Sequence, residues 1–213
     1  MRGTAYEGCI VDVIWYTAMS MDGRIADAHG SLDFLSTFDD GAEQDFDQFI
    51  AHIDAVVIGA NTMRWLLDHG HGWPHSDLET WLVTHDETLV DHVRSLQLEA
   101  VDQPSGQSND QSNDQTSGQP QPVHWAQGPL GPMFEQIAAR GHRRVWLCGG
   151  GDVAAQALRQ DYIDEVVVTI APTVVGAGPT LFDGDDLPAR RFALQACRPW
   201  AGGGARMVWR RIP

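Results

Sequence analysis

The chain contains no lysine. All 14 basic residues among its 213 are arginines, set against 29 carboxylates, for a net charge of −15. Without lysine there is no Walker A loop, no pyridoxal Schiff base and no lysine nucleophile. The acidic balance also speaks against a nucleic-acid partner, because the phosphate contribution would be repulsive. Cysteine is scarce as well: Cys9, Cys148 and Cys197 lie far apart with no CxxC pair. That disfavours a zinc ribbon or a disulfide framework and suits a reducing cytoplasm. No apolar run reaches the roughly 18 residues of a membrane span. The opening MRGTAYEGCI lacks the charged-then-apolar order of a signal peptide, so no membrane partner is expected.

Apolar residues are also missing from one internal segment. Residues 102–122, DQPSGQSNDQSNDQTSGQPQP, repeat QSND and SGQ with nothing to bury. Such a stretch cannot offset its own ordering entropy. It is expected to be a flexible insert in the surface of a single domain spanning 1–213. The remaining 43% apolar content alternates between two patterns. Strands are expected at 12–19, 54–59, 80–84, 123–126, 144–149, 164–172, 191–198 and 205–211. Helical spacing runs over 39–53, with Phe46, Phe49, Ile50 and Ile53 on one face, and over 61–70, 129–140 and 151–160. Strands alternating with helices, then a closing hairpin, give an α/β sheet with mostly parallel core strands.

The segment RVWLCGGGDVAAQALRQ (144–160) runs a strand through three glycines into a helix. GGGDVA fits G-x-G-x-x-A, the dinucleotide fingerprint, but its position excludes a Rossmann fold. Only about 60 residues follow it, too few for the two βαβαβ halves. Its alternatives are a phosphate-binding turn and a turn that merely packs helix against sheet.

Four segments in order decide for a ligand. These are Ser20 to Ala26 (SMDGRIA), Asp54 to Thr62 (DAVVIGANT), Cys148 to Gly151 (CGGG) and Pro172 to Phe182 (PTVVGAGPTLF). Together they resemble the dihydrofolate-reductase-like superfamily, and most closely the reductase domain of riboflavin biosynthesis with its stand-alone relatives. The resemblance implies an eight-stranded, mostly parallel sheet with about four helices and a C-terminal antiparallel hairpin. It implies an NAD(P)H-dependent reductase passing hydride to a small heterocyclic or carbonyl-type substrate, in a homodimer. NADPH is the first cofactor expected and NADH stays open.

On that resemblance the cofactor would be held by Gly59, Ala60, Asn61, Thr62, Thr84, His85, Cys148, Gly149, Gly150, Gly151, Asp152 and Val153. Ala18, Met19 and Ile25 would flank the nicotinamide, and Met19, Ser20, Phe34, Leu35 and Phe46 would line the substrate pocket. The amino ends of the helices after Gly59 and Gly150 offer N–H groups to a pyrophosphate. Asn61 or Thr62 would cap the first of them. The sequence departs from the family at the adenosine end. Ala60, His85 and Asp152 stand where relatives place arginine or serine against a 2′-phosphate, with Arg64 the nearest cation in sequence. Asp152 would accept from a ribose hydroxyl or cap its helix.

Counting back from Gly59 as folate-reducing relatives do reaches Glu43, the candidate catalytic proton donor. Its alternative role is a capping box with Asp40. Tyr16 stands where the riboflavin-pathway enzyme has lysine, and RWLLDHGHGWPH replaces its ribose-phosphate segment. A true dihydrofolate or riboflavin-pathway reductase is therefore disfavoured. A ligand-binding protein without turnover is the alternative. His69, His71 and His75 read as a solvated loop, and no metal is expected.

Overall fold

Eight strands and six α-helices alternate in the computed structural model, which describes residues 11–36, 42–70, 73–102 and 121–212. In chain order they are β1 (Asp12–Ser20), α1 (Asp33–Ser36), α2 (Ala42–Ile50), β2 (Ala55–Gly59), α3 (Ala60–Asp68), β3 (Glu79–Val83) and α4 (Glu87–Asp102). Then follow β4 (Val123–Ala126), α5 (Leu130–Ala139), β5 (Arg144–Gly149), α6 (Gly151–Arg159), β6 (Glu165–Ala171), β7 (Phe192–Pro199) and β8 (Ala205–Arg211). One sheet takes all the strands in the order β4-β3-β2-β5-β1-β6-β8-β7. The first six are parallel; β8 runs antiparallel to β6, and β7 to β8. This is the mixed, mostly parallel α/β sheet with a closing antiparallel pair that the sequence pattern implies.

Both faces of the parallel part are covered, which is why β2 reads as an unbroken apolar run, AVVIG, with every residue buried. On one face Val13, Trp15, Val57 and Leu147 pack with Leu130, Phe134 and Ile137 of α5 and Ala154, Ala157 and Leu158 of α6. On the other, Ile14, Val56, Trp146 and Val167 meet Phe46, Phe49 and Ile50 of α2. Ile58, Leu82 and Val123 meet Met63 of α3 and Leu89, Val90 and Val93 of α4. Each fully buried Val, Leu, Ile, Phe or Met among these contributes about 1.5–3 kcal/mol.

Two helices exceed the expected four. α4 carries Leu89, Val90 and Val93 at helical spacing, and Asp86 Oδ1 caps it by accepting from the N–H of Thr88 (3.0 Å) and Leu89 (3.2 Å). α1 is a single turn whose Phe34 and Leu35 pack on Ala171 and Trp200. The edges of the polar segment differ too. Asp102 ends α4, while Gln121 donates its N–H to Ser76 O (2.6 Å) and Pro122 O accepts from Thr80 N (3.3 Å). Residues 103–120 of the expected insert lie outside the described residues. So does Asp40 with its capping box, and Glu43 is described only as a backbone position in the first turn of α2.

Candidate functional site

The carboxyl ends of the parallel strands converge on one edge of the sheet, where α3 follows β2 directly and α6 follows β5 through Gly150. Neither helix has a side-chain cap: the cap positions are Gly59 and Gly150, both extended. Four backbone N–H groups at the start of each helix lack intrahelical acceptors, and the aligned peptide dipoles leave partial positive charge there. Asn61 and Thr62 therefore do not cap α3. Asn61 instead accepts from Arg64 through Oδ1 (3.2 Å). Asp152 is no cap either. It sits in the first turn of α6, inside the helix start, and accepts from Gln156 Nε2 (3.1 Å).

Glycine brings the two helix starts together. A Cβ on Gly59 would lie 2.7 Å from Val153 Cγ2, and one on Gly149 would lie 2.7 Å from Thr62 Oγ1. A Cβ on Gly151 would meet the carbonyl oxygen of Thr180 at 2.2 Å. These contacts explain three of the glycines as close-approach residues. The peptide bond between Gly149 and Gly150 is cis.

Between the helix starts lies a cavity of about 430 Å³, within the range of small-molecule and cofactor sites. Of the residues expected at the cofactor, Ile25, Gly59, Ala60, Asn61, Thr62, Thr84, His85, Cys148, Gly149, Gly150, Gly151, Asp152 and Val153 all line it. Ala18 does not, because strand alternation turns Trp15 and Thr17 of β1 to the cavity and sends Ala18 to the other face. Trp15, Thr17, Trp65, Gln127, Gln156 and Asp183 also line it and were not anticipated. Gln156 follows Asp152 by one helical turn and was legible by spacing; Trp15 and Thr17 were legible by alternation. Gln127 and Asp183 arrive from distant loops. Trp15 is buried, and its indole N–H has no hydrogen-bond partner among the described residues. Burial pushes the Cys148 thiol up to about 12, so it stays protonated and inert at neutral pH.

One wall is held by a clamp. Asp22, in the turn after β1, accepts from Ser20 Oγ (2.7 Å), Val175 N (3.0 Å) and Gly176 N (2.8 Å). Those bonds, led by Val175, hold its carboxyl at about 2. Arg24 donates to Gly178 O (2.8 Å) and Ile25 N to Pro179 O (2.9 Å), which fixes Ile25 and Ala26 in the wall.

None of the expected substrate-pocket residues lines the cavity. Met19 packs on the α5–α6 core, and Ser20 is buried with its hydroxyl bonded to Asp22. Phe34 and Leu35 belong to the Trp200 cluster. Phe46 stands among aromatic rings on the α2 face, 5.2 Å from Trp146, 5.4 Å from His75 and 5.7 Å from Tyr16 between ring centroids. Burial in that cluster lowers the His75 pKa. Beside it Arg206, from β8, donates to Tyr16 Oη (3.0 Å), lies 4.7 Å over its ring and pairs with Asp45 of α2. A cation thus reaches Tyr16 from the far end of the chain, a contact no local pattern announces. Of the three histidines once grouped by sequence, His69 stacks on Trp65 and His75 joins the aromatic cluster; His71 lies outside the described residues. Among the described residues no group of three His, Cys, Asp or Glu could hold a metal ion, and no helix is long and apolar enough to cross a membrane.

Known proteins share this architecture. A protein from Shewanella sp. PV-4 assigned to riboflavin biosynthesis superposes with a TM-score of 0.72 at 22% identity, over 95% of this chain and 100% of that one. A pyrimidine reductase-like protein from Corynebacterium diphtheriae gives 0.67 at 18%, over 95% and 92%. The uncharacterized protein YwjB of Bacillus subtilis is 22% identical over 169 residues, 79% of this chain and 81% of that one. The RibD C-terminal domain family matches residues 11–203, and with nearly the whole described sheet inside that match the chain belongs to this family.

Proposed function

We propose that the protein is a nicotinamide-nucleotide-dependent reductase that reduces a small heterocyclic or carbonyl-type substrate. One observation carries the reading: two helix amino ends without side-chain caps open into the same cavity, across glycines that leave no room for a Cβ. That arrangement suits a pyrophosphate, which takes backbone N–H groups and the positive ends of both dipoles. Thr62 adds a hydroxyl between them. Ile25, Ala26 and Trp15 offer an apolar wall for a nicotinamide ring. Bound, the dinucleotide supplies hydride; the protein orients it and excludes water. The name of the Corynebacterium relative, a pyrimidine reductase-like protein, supports the same class of reaction.

Titration of either reduced dinucleotide against tryptophan fluorescence tests the reading, because Trp15 and Trp65 line the cavity. Saturable quenching is expected; no quenching by NADH or NADPH at millimolar concentration overturns it. A second reading, a nucleotide-binding protein without turnover, is favoured by the packed surroundings of Phe46 and by the absence of expected substrate residues from the cavity. Reduced dinucleotide that binds but is never oxidised by any pterin or pyrimidine offered would select it.

A further inference from the structure

Building on the reductase reading, we infer that the cavity selects NADH over NADPH, and that Asp152, oriented by Gln156, makes the choice. The two helix starts place the pyrophosphate in the middle of the cavity. Its β1 side carries Trp15, Ile25 and Ala26 with Thr17 as the one polar residue of β1, while the side towards the ends of β3 and β4 carries Thr84, His85 and Gln127 beside Val83 and Ala126. The nicotinamide takes the first side and the adenosine ribose the second, beside the first turn of α6.

Few charged side chains line the cavity: among the described residues the carboxylates are Asp152, from α6, and Asp183, from the loop before β7. α3 contributes Arg64, which does not line the cavity and is committed to a carboxylate: its Nη2 lies 2.7 Å from Asp86 Oδ2, and its Nη1 donates to Asn61. That pairing, together with the Leu89 and Thr88 N–H groups, lowers the Asp86 pKa, so the local charge of the pair is zero. His85 is an exposed imidazole. Among the described residues no arginine lines the cavity, and the chain has no lysine.

A 2′-phosphate placed here would find no free guanidinium fork and two carboxylates, in a protein whose net charge is −15. An unsubstituted ribose diol has the opposite need: its hydroxyls are donors that require an acceptor. Asp152 is that acceptor, and the bond from Gln156 Nε2, one turn along α6, fixes its carboxylate. The residues present therefore fit the dinucleotide but not the phosphate that distinguishes NADPH.

Quenching titrations and calorimetry of the full chain with NADH and with NADPH at pH 8 test this without relying on turnover. The native protein should bind NADH at least tenfold tighter. Asp152→Ser should lower that ratio at least fivefold, and Asp152→Arg should invert it, with circular dichroism confirming that each variant is folded. The disfavour towards NADPH should shrink in molar salt, where charge repulsion is screened. Asp152→Asn removes the charge, so it should raise NADPH affinity and narrow the ratio, and more at low salt than in molar salt, which the loss of a merely helix-stabilising carboxylate would not do. Equal or tighter binding of NADPH by the native protein, or a ratio unmoved by all three substitutions, overturns the inference and leaves the reductase reading standing. Failure of both dinucleotides to bind overturns the two together.

Discussion

The two ends of the parallel sheet treat polar groups in opposite ways. At the amino ends of the strands, charges are paired and backbone donors are satisfied. Asp54 accepts from the N–H of Arg143 (2.7 Å) and Arg144 (2.8 Å), and Asp164 from Val13 N (3.1 Å). Arg210 bridges Asp12 (2.7 Å) and Glu165 (3.2 Å). Glu79, with a side chain only 9% exposed, is surrounded by His124 Nε2 (2.5 Å), Arg140 Nη1 (3.0 Å) and His142. At the carboxyl ends, two helices begin without caps and their N–H groups face a cavity. Satisfied polar groups hold a structure together; groups left for a ligand make a site. The fold places them at opposite ends of the same strands, so stability and binding are separable by mutation.

The largest effect should come from the open end. Gly151→Ala drives a Cβ into the Thr180 carbonyl, so backbone must shift; a cost of about 2–3 kcal/mol in urea unfolding is expected, with loss of detectable dinucleotide binding by fluorescence. Affinity within tenfold of the native value would contradict the close-approach account of that glycine.

Next comes the closed end. Burial alone would raise the Glu79 pKa, but the His142 bond, the Arg140 charge and the His124 bond together bring it below the ordinary value. Its stabilisation is thus complete above the unfolded carboxylate range and is lost as pH falls through the lower folded value. Glu79→Gln should cost about 2 kcal/mol at pH 7, and the gap from the native protein should narrow below about pH 4. Dinucleotide affinity should not move. A parallel loss of affinity would show that the two ends are coupled.

A smaller effect is expected at the clamp. Asp22→Asn loosens the hold on residues 175 and 176, so hydrogen exchange of the Val175 and Gly176 amides should accelerate and dinucleotide affinity should fall a few-fold. With the Asp22 carboxyl at about 2, the native protein keeps this clamp down to about pH 4 and loses it towards pH 2. Unchanged exchange at neutral pH would deny the clamp a role. The smallest signal is chemical. Iodoacetamide at pH 7.5 should label exposed Cys197 and leave Cys148 unmodified, read by mass spectrometry of the peptides. Prompt labelling of Cys148, through the cavity it lines, would mean that its thiol ionises near neutral pH.

Much of the sheet was legible because burial on both faces writes itself as short apolar runs, and every strand was expected within a few residues. The glycines between strand and helix at the cavity were legible because close approach demands glycine, and glycines at strand ends are conspicuous. α4 was missed although Leu89, Val90 and Val93 have helical spacing, since the polar segment that follows draws attention away from it. The Glu79 cluster could not be read at all. Its members come from β3, β4 and the turn before β5, and only the register that sets Trp81 beside His124 brings them together. The expected substrate residues do not line this cavity for a related reason: Phe46 has the right helix face, but Tyr16, Trp146 and His75 pack around it.

By itself the sequence determined which segments would be strands and helices, that no lysine chemistry is available, and that the chain would turn tightly through glycines at the ends of β2 and β5. Those are consequences of local period, residue type and the missing Cβ. The tertiary structure decided which polar groups are satisfied. Asp152 could have capped its helix, but the chain turns at Gly150 and makes that glycine the cap, so the carboxylate is left beside the cavity. Arg64 could have met a phosphate, but Asp86 on the next strand connection claims it. Whether a charge is free or paired depends on what stands a few ångströms away in space, and sequence order does not carry that distance.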